Sequence, residues 1–188
     1  MKNKYQNRYR IPSARLRGWD YGWDAAYFVT LCTKGRYPYF GRVAPGEMIL
    51  TPAGQAARDC WYAIPDHFPF VRLGEFIVMP NHVHGIVIID KRGYGFNGGG
   101  AAGGLLLPQP PQPPQPPGNQ FGPQSRNLPS IVRGYKIGVT KSARLTDSRF
   151  AWQARYHDHI IRTADAHRRI AWYIRNNPRK WSEDRFYP

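Results

Sequence analysis

Two short runs hold the side chains best suited to chemistry. In the apolar stretch Phe76 to Ile89, rich in Val and Ile, His82 and His84 flank Val83. Side chains on a strand alternate faces, so both imidazoles point one way while Val83 points into a core. At about 6–7 Å along the backbone, two imidazoles can grip one metal ion. Hydrogen bonds can satisfy them equally well, and spacing alone leaves both readings open. His157-Asp158-His159 repeats the same spacing. The other run is Tyr173-Ile174-Arg175-Asn176-Asn177-Pro178. On a helix, Tyr173 and Asn177 lie one turn apart on a single face. An amide oxygen can ligate a metal and a phenol can attack as a nucleophile. The plain alternative is a core or rim tyrosine followed by a C-capping asparagine before Pro178.

Composition points to the partner. The chain has 188 residues, enough for one domain with a real core. Lys and Arg outnumber Asp and Glu 27 to 12, giving a formal net charge of +15, and the sequence pI is about 10.2. Such a balance favours a polyanion, nucleic acid before a membrane surface. Neither a long apolar run nor a signal-peptide core is found, so no membrane partner and a cytoplasmic location are expected. Cys32 and Cys60 read as buried free thiols, in keeping with a reducing compartment. Without a Cys-x-x-Cys pair, a structural zinc site is not expected.

The elements that must position these residues follow in order. Residues 1–24 form a basic, aromatic arm with little periodicity, carrying Arg15 and Arg17. Ala25 to Thr33 reads as the first strand, and Met48-Ile49-Leu50 as a short edge. Thr51 caps a helix with Pro52 in its first turn, running to about Ile64, where Pro65 stops it. Its inner stripe is Ala56, Ala57, Cys60, Trp61 and Ala63. Val71 to Pro80 leads into His82 to Ile89, with a bend or bulge at Pro80-Asn81. Residues 93–127 form a Gly/Pro/Gln-rich flexible insert within the domain. Ser130 caps a helix with Ile131, Val132, Tyr135, Val139 and Ala143 inward and Lys136, Lys141 and Arg144 outward. Phe150 to Ile161 reads as a strand. Thr163 caps a final helix through Ile174, which Pro178 ends. The order strand, helix, strand, strand, helix, strand, helix predicts an α+β fold. It is a ferredoxin-like antiparallel sheet with helices on one face, plus a C-terminal helix carrying Tyr173.

Asn81-His82-Val83-His84 together with Tyr173 to Pro178 resembles the HUH (His-hydrophobe-His) single-tyrosine transposases, and among them the REP-associated tyrosine transposases of bacteria. The strand Ala26 to Thr33, the run Tyr135 to Lys141, and Trp152-Gln153 leading to Asp158 through Arg162 resemble theirs too. The similarity covers about residues 8–92 and 128–183; the insert departs from the pattern. The resemblance implies that His82, His84 and Asn177 hold a divalent metal, Mg²⁺ or Mn²⁺, and that Tyr173 is the nucleophile. Tyr135 and His157-Asp158-His159 fall outside those roles. It implies cutting and rejoining of single-stranded or hairpin DNA, REP-like palindromes among it, through a 5′-phosphotyrosine link, by a monomer or homodimer. Arg15, Arg17, Lys136, Lys141 and Arg175 are candidates to neutralise phosphates. The competing expectations are a non-catalytic nucleic-acid-binding module on the same fold and another HUH nuclease, such as a replication initiator.

Overall fold

Small, β-branched and aromatic residues make Ala25–Cys32 the inner strand β1. The computed structural model describes Leu16, residues 18–92 and residues 125–187. Within it, the chain runs through the hairpin β2 (Gly41–Ala44) and β3 (Glu47–Leu50), then helices α1 (Pro52–Tyr62) and α2 (Ile64–His67). Strands β4 (Val71–Met79) and β5 (His82–Ile89) follow, then α3 (Leu128–Ala143), β6 (His157–Ile161) and α4 (Ala164–Asn176). The main sheet has the order β4-β5-β1-β6, with every neighbouring pair antiparallel. That is the predicted α+β, ferredoxin-like arrangement.

Alternation along β5 sorts its side chains between two cores. Val83, Val87 and Ile89 enter the larger core with Trp61 of α1 and Ile131, Tyr135 and Val139 of α3. Ile86 and Ile88 enter a smaller core with Ala171 and Ile174 of α4. The C-terminal helix therefore covers the opposite sheet face from α1 and α3. Gly85 lies in the larger core, and a Cβ there would stand 2.2 Å from the Trp61 ring. Only glycine lets that indole lie against the strand and stack on Phe76, with centroids 4.4 Å apart.

Local signals place several ends correctly. The Thr51 side chain accepts from Gly54 N at the start of α1, and Thr163 accepts from Ala166 N at the start of α4. Elsewhere the structure differs from the sequence reading. Phe76 to Ile89 is a hairpin, in which Pro80-Asn81 turns the chain back so that Met79 faces His82. Pro65 sits in the first turn of α2, behind Ile64, where a missing N–H costs no helical hydrogen bond. The cap of α3 is Asn127; it forms a capping box with Ser130, which lies three residues inside. The strand before α4 is only His157–Ile161. Upstream of it Trp152 keeps a single antiparallel bridge to Thr33, and the rings of Phe150 and Trp152 pack against Phe40 from a segment that is otherwise loop.

Packing also extends beyond both ends of the predicted elements. Tyr21 is buried, and Trp19 donates from its indole to the Tyr27 hydroxyl. After α4, the 3-10 segment Pro178–Glu183 leads to a buried Phe186. Arg15, Arg17 and most of the insert lie outside the described residues. Among the described residues, no helix is long and apolar enough to cross a membrane.

Candidate active site

The β4–β5 turn delivers the histidines. Thr33 N and the Thr33 hydroxyl both donate to Asn81 O, pinning the turn to the end of β1. The Asn81 amide then donates to Phe186 O (2.8 Å), which leaves Asn81 Oδ1 facing His82 Nδ1 at 2.8 Å. His82 Nδ1–H therefore donates to that oxygen, and its Nε2 carries the lone pair. On the neighbouring strand, Thr30 Oγ1 lies 2.9 Å from His84 Nδ1. A hydroxyl donates or accepts, so His84 can present Nε2 either as N–H or as a lone pair.

The two Nε2 atoms lie 3.0 Å apart. Two nitrogen ligands about 2.1 Å from one cation, set at right angles, would be about 3.0 Å apart. Both rings are fully buried and kept uncharged. Burial, then the Arg185 and Arg36 guanidiniums, lower His82 to about 3. Burial and the neighbouring His82 hold His84 well below the usual histidine range. Neutral imidazoles with oriented Nδ1 atoms are the form that ligates metal.

From the facing helix α4, Tyr173 brings its hydroxyl to 3.1 Å from His84 Nε2. That hydroxyl also donates to Asp184 Oδ2 at 3.1 Å. Burial, then the charge of Asp184 and the hydrogen bond to it, push the phenol up to about 12. Asn177, one turn on, donates from Nδ2 to the same Asp184 oxygen at 2.9 Å. Its Oδ1 is buried without a hydrogen-bond partner. A buried amide oxygen without a partner, on a residue hydrogen-bonded to Asp184, suits a cation, and the two imidazoles with the carboxylate are a donor set that fits a divalent metal. His82, His84 and Asp184 can bring ligand atoms within 4.8 Å of one another.

Asp184 was not among the sequence candidates. The signal available was weak: an acidic pair, Glu183-Asp184, soon after the tyrosine helix in a chain with few acids. Nothing local shows that Pro178–Glu183 folds back over the histidines. Phe186 and Trp181 do so, with centroids 4.6 and 5.9 Å from His82. Phe28 forms another wall, stacked on His84 at 5.3 Å and edge-on to Tyr173 at 6.2 Å.

Of the remaining candidates, His157 borders the site, edge-on to Phe28 at 6.5 Å, and the others lie elsewhere. Tyr135 is buried in the larger core and donates to Ala57 O. His157 and His159 sit on the edge strand β6, paired with Thr30 and Phe28 of β1. Lys136 is half-buried: its ammonium donates to the Gln153 and Arg155 carbonyls, and burial lowers it to about 8. Lys141 is exposed, in a groove of about 600 Å³ along α3 that Arg133, Arg144 and Arg155 also line. Arg175 is ion-paired with Glu75.

No family model matches the chain. An uncharacterized protein of Haemophilus influenzae is 38% identical over 176 residues, covering 93% of this chain and 92% of that one. Among solved structures, a REP-associated tyrosine transposase bound to a REP hairpin superposes with a TM-score of 0.55 and 19% identity. The match covers 91% of this chain and 74% of that one. The chain thus belongs to one family with the Haemophilus influenzae protein, and its fold is that of the REP-associated tyrosine transposase.

Proposed function

We propose that the protein is a metal-dependent transposase of the HUH class that cuts and rejoins single-stranded or hairpin DNA. The observation that carries this reading is the meeting of the Tyr173 hydroxyl with His84 Nε2 and Asp184 at 3.1 Å each, above a pair of neutral histidines. A phosphodiester is the substrate class that suits a phenol nucleophile, a cation site and a strongly basic protein.

His82, His84 and the Asn177 amide oxygen would hold Mg²⁺ or Mn²⁺, with Asp184 within reach. Bound there, the cation would polarise a non-bridging oxygen of the scissile phosphate and offset developing charge. Tyr173 supplies the nucleophile. Its O–H bond breaks, a phenolic O–P bond forms, and the P–O3′ bond breaks. The product is a 5′-phosphotyrosine link and a 3′-oxygen that takes up a proton. With a phenol at about 12, the proton must leave as attack proceeds. Asp184 Oδ2, already accepting that hydrogen bond, is placed to receive it. Asn177 holds the carboxylate in position from the same side. Rejoining reverses these steps and uses the energy kept in the phosphotyrosine ester.

Support for the partner comes from the net charge of +15, the cationic groove along α3 and the hairpin bound to the structural neighbour. The test is incubation with end-labelled hairpin and single-stranded DNA plus Mn²⁺, followed by denaturing gels and mass spectrometry. A covalent adduct mapped to Tyr173 is expected. Tight binding with no adduct under any metal would favour the non-catalytic binding module instead.

A further inference from the structure

Resting on that reading, we propose that Arg36 and Arg185 form a two-guanidinium clamp that holds the phosphate backbone of the DNA strand beside Tyr173. The two come from opposite ends of the chain. Arg36 closes a 3-10 turn after β1, whereas Arg185 follows Asp184 in the C-terminal segment. Both guanidiniums lie over the ring of Phe186, at 5.1 Å for Arg36 and 4.6 Å for Arg185. That ring in turn packs on His82 and His84, at 4.6 and 6.0 Å. Arg36 Nη1 also donates to the Arg185 carbonyl at 3.1 Å, tying the two segments together. A pair of cations thus stands one aromatic ring away from the histidines.

Two further observations fit a ligand rather than a structural ion pair. Both side chains are exposed, and neither is ion-paired with a carboxylate among the described residues. In addition, Arg36 adopts φ 57°, next to Gly35 at φ 64°. A left-handed arginine is uncommon, and glycine would hold that turn at lower cost. Strain of this kind gathers at functional sites, where the side chain rather than the backbone preference decides the residue. The ligand chemistry is a phosphodiester oxygen pair, which a planar guanidinium fork matches and a lysine ammonium does not.

The test uses Arg36→Gly, which keeps the left-handed turn at ease, and Arg185→Ala, each with a thermal melt as a folding check. Single-stranded oligonucleotide binding is titrated from low to high salt. Each lost phosphate contact should lower the slope of log K against log salt by about 0.7, and Arg36→Lys should recover charge but only part of the affinity. In wild type the covalent adduct should form, and each variant should slow it about tenfold to a hundredfold. An oligonucleotide with an uncharged methylphosphonate at one phosphate flanking the cut should abolish that difference. Unchanged salt slopes in both variants would overturn the clamp, whatever the wild type does chemically. Reduced slopes with no adduct in wild type would support the clamp and count against the nuclease reading alone.

Discussion

Asn177 and Asp184 share one hydrogen bond that organises the site. The amide nitrogen of Asn177 donates to Asp184 Oδ2, the same oxygen that accepts from Tyr173, and leaves Asn177 Oδ1 buried and unpartnered. Helix α4 and the segment behind it are thereby locked around a single carboxylate. The predictions below follow from that arrangement and from the neutral histidine pair facing it.

Tyr173→Phe removes one oxygen and keeps the ring that packs edge-on to Phe28. The melting temperature should stay within a few degrees of wild type, while the covalent DNA adduct disappears and hairpin binding persists. Tyr135→Phe should keep the adduct but lower stability by about 1 kcal/mol, because Ala57 O loses its buried donor. An adduct in Tyr173→Phe protein on a denaturing gel would refute the assignment.

Divalent metal should bind the folded chain and raise its melting temperature by mass action. Mn²⁺ titrations followed by calorimetry should show one site that His84→Ala abolishes and Asn177→Ala weakens. EDTA should stop cleavage. Equal cleavage with and without EDTA would remove the metal from the mechanism.

Stability should fall on mild acidification. The folded protein keeps His82 unprotonated down to about 3 and His84 neutral well below its ordinary range. An unfolded histidine takes a proton near 6.5, so below that pH the unfolded chain binds more protons. The contribution is complete above about pH 6.5 and is lost as pH drops towards 3. Urea melts at pH 7.5 and 5.5 without metal should differ by about 1.4 kcal/mol in total for each of these two histidines, because the full slope applies only below about pH 6.5. The His82→Gln, His84→Gln double variant should lose that dependence.

Gly85→Ala should destabilise the fold by about 1–3 kcal/mol, since its Cβ would meet the Trp61 ring at 2.2 Å. Denaturant titration reads the loss directly. Trp61→Phe in the same chain should relieve part of it, which would tie the effect to that contact.

Residues 93–124 should be replaceable by a short Gly/Ser linker with the cleavage rate kept within a few-fold. Their composition, dominated by Gly, Pro and Gln, cannot bury a core. Loss of folding or of cleavage in the shortened protein would show that the insert has a part in the site.

What the sequence by itself determined rests on local periodicity and local caps. A period of two put His82 and His84 on one face and Val83 on the other, and the structure keeps that division. A period near 3.6 put Tyr173 and Asn177 together, and both reach Asp184. Thr51 and Thr163 marked helix starts because capping is decided within three residues. The tertiary structure decided what depends on distant partners. Spacing cannot tell His82 and His84 from His157 and His159; the family resemblance separates them, and the strand order places the former on an inner strand facing Tyr173 of α4 and the latter on an edge. Only the fold-back after Pro178 brings in Asp184, Arg185 and Phe186. Aromatic content made Phe150 and Trp152 look like strand; Trp152 keeps one bridge to Thr33, but both rings pack on Phe40, and a segment that is mostly loop provides that burial as well as a sheet. Side-chain type fixes what a residue can do, and long-range packing fixes which residues stand close enough to do it together.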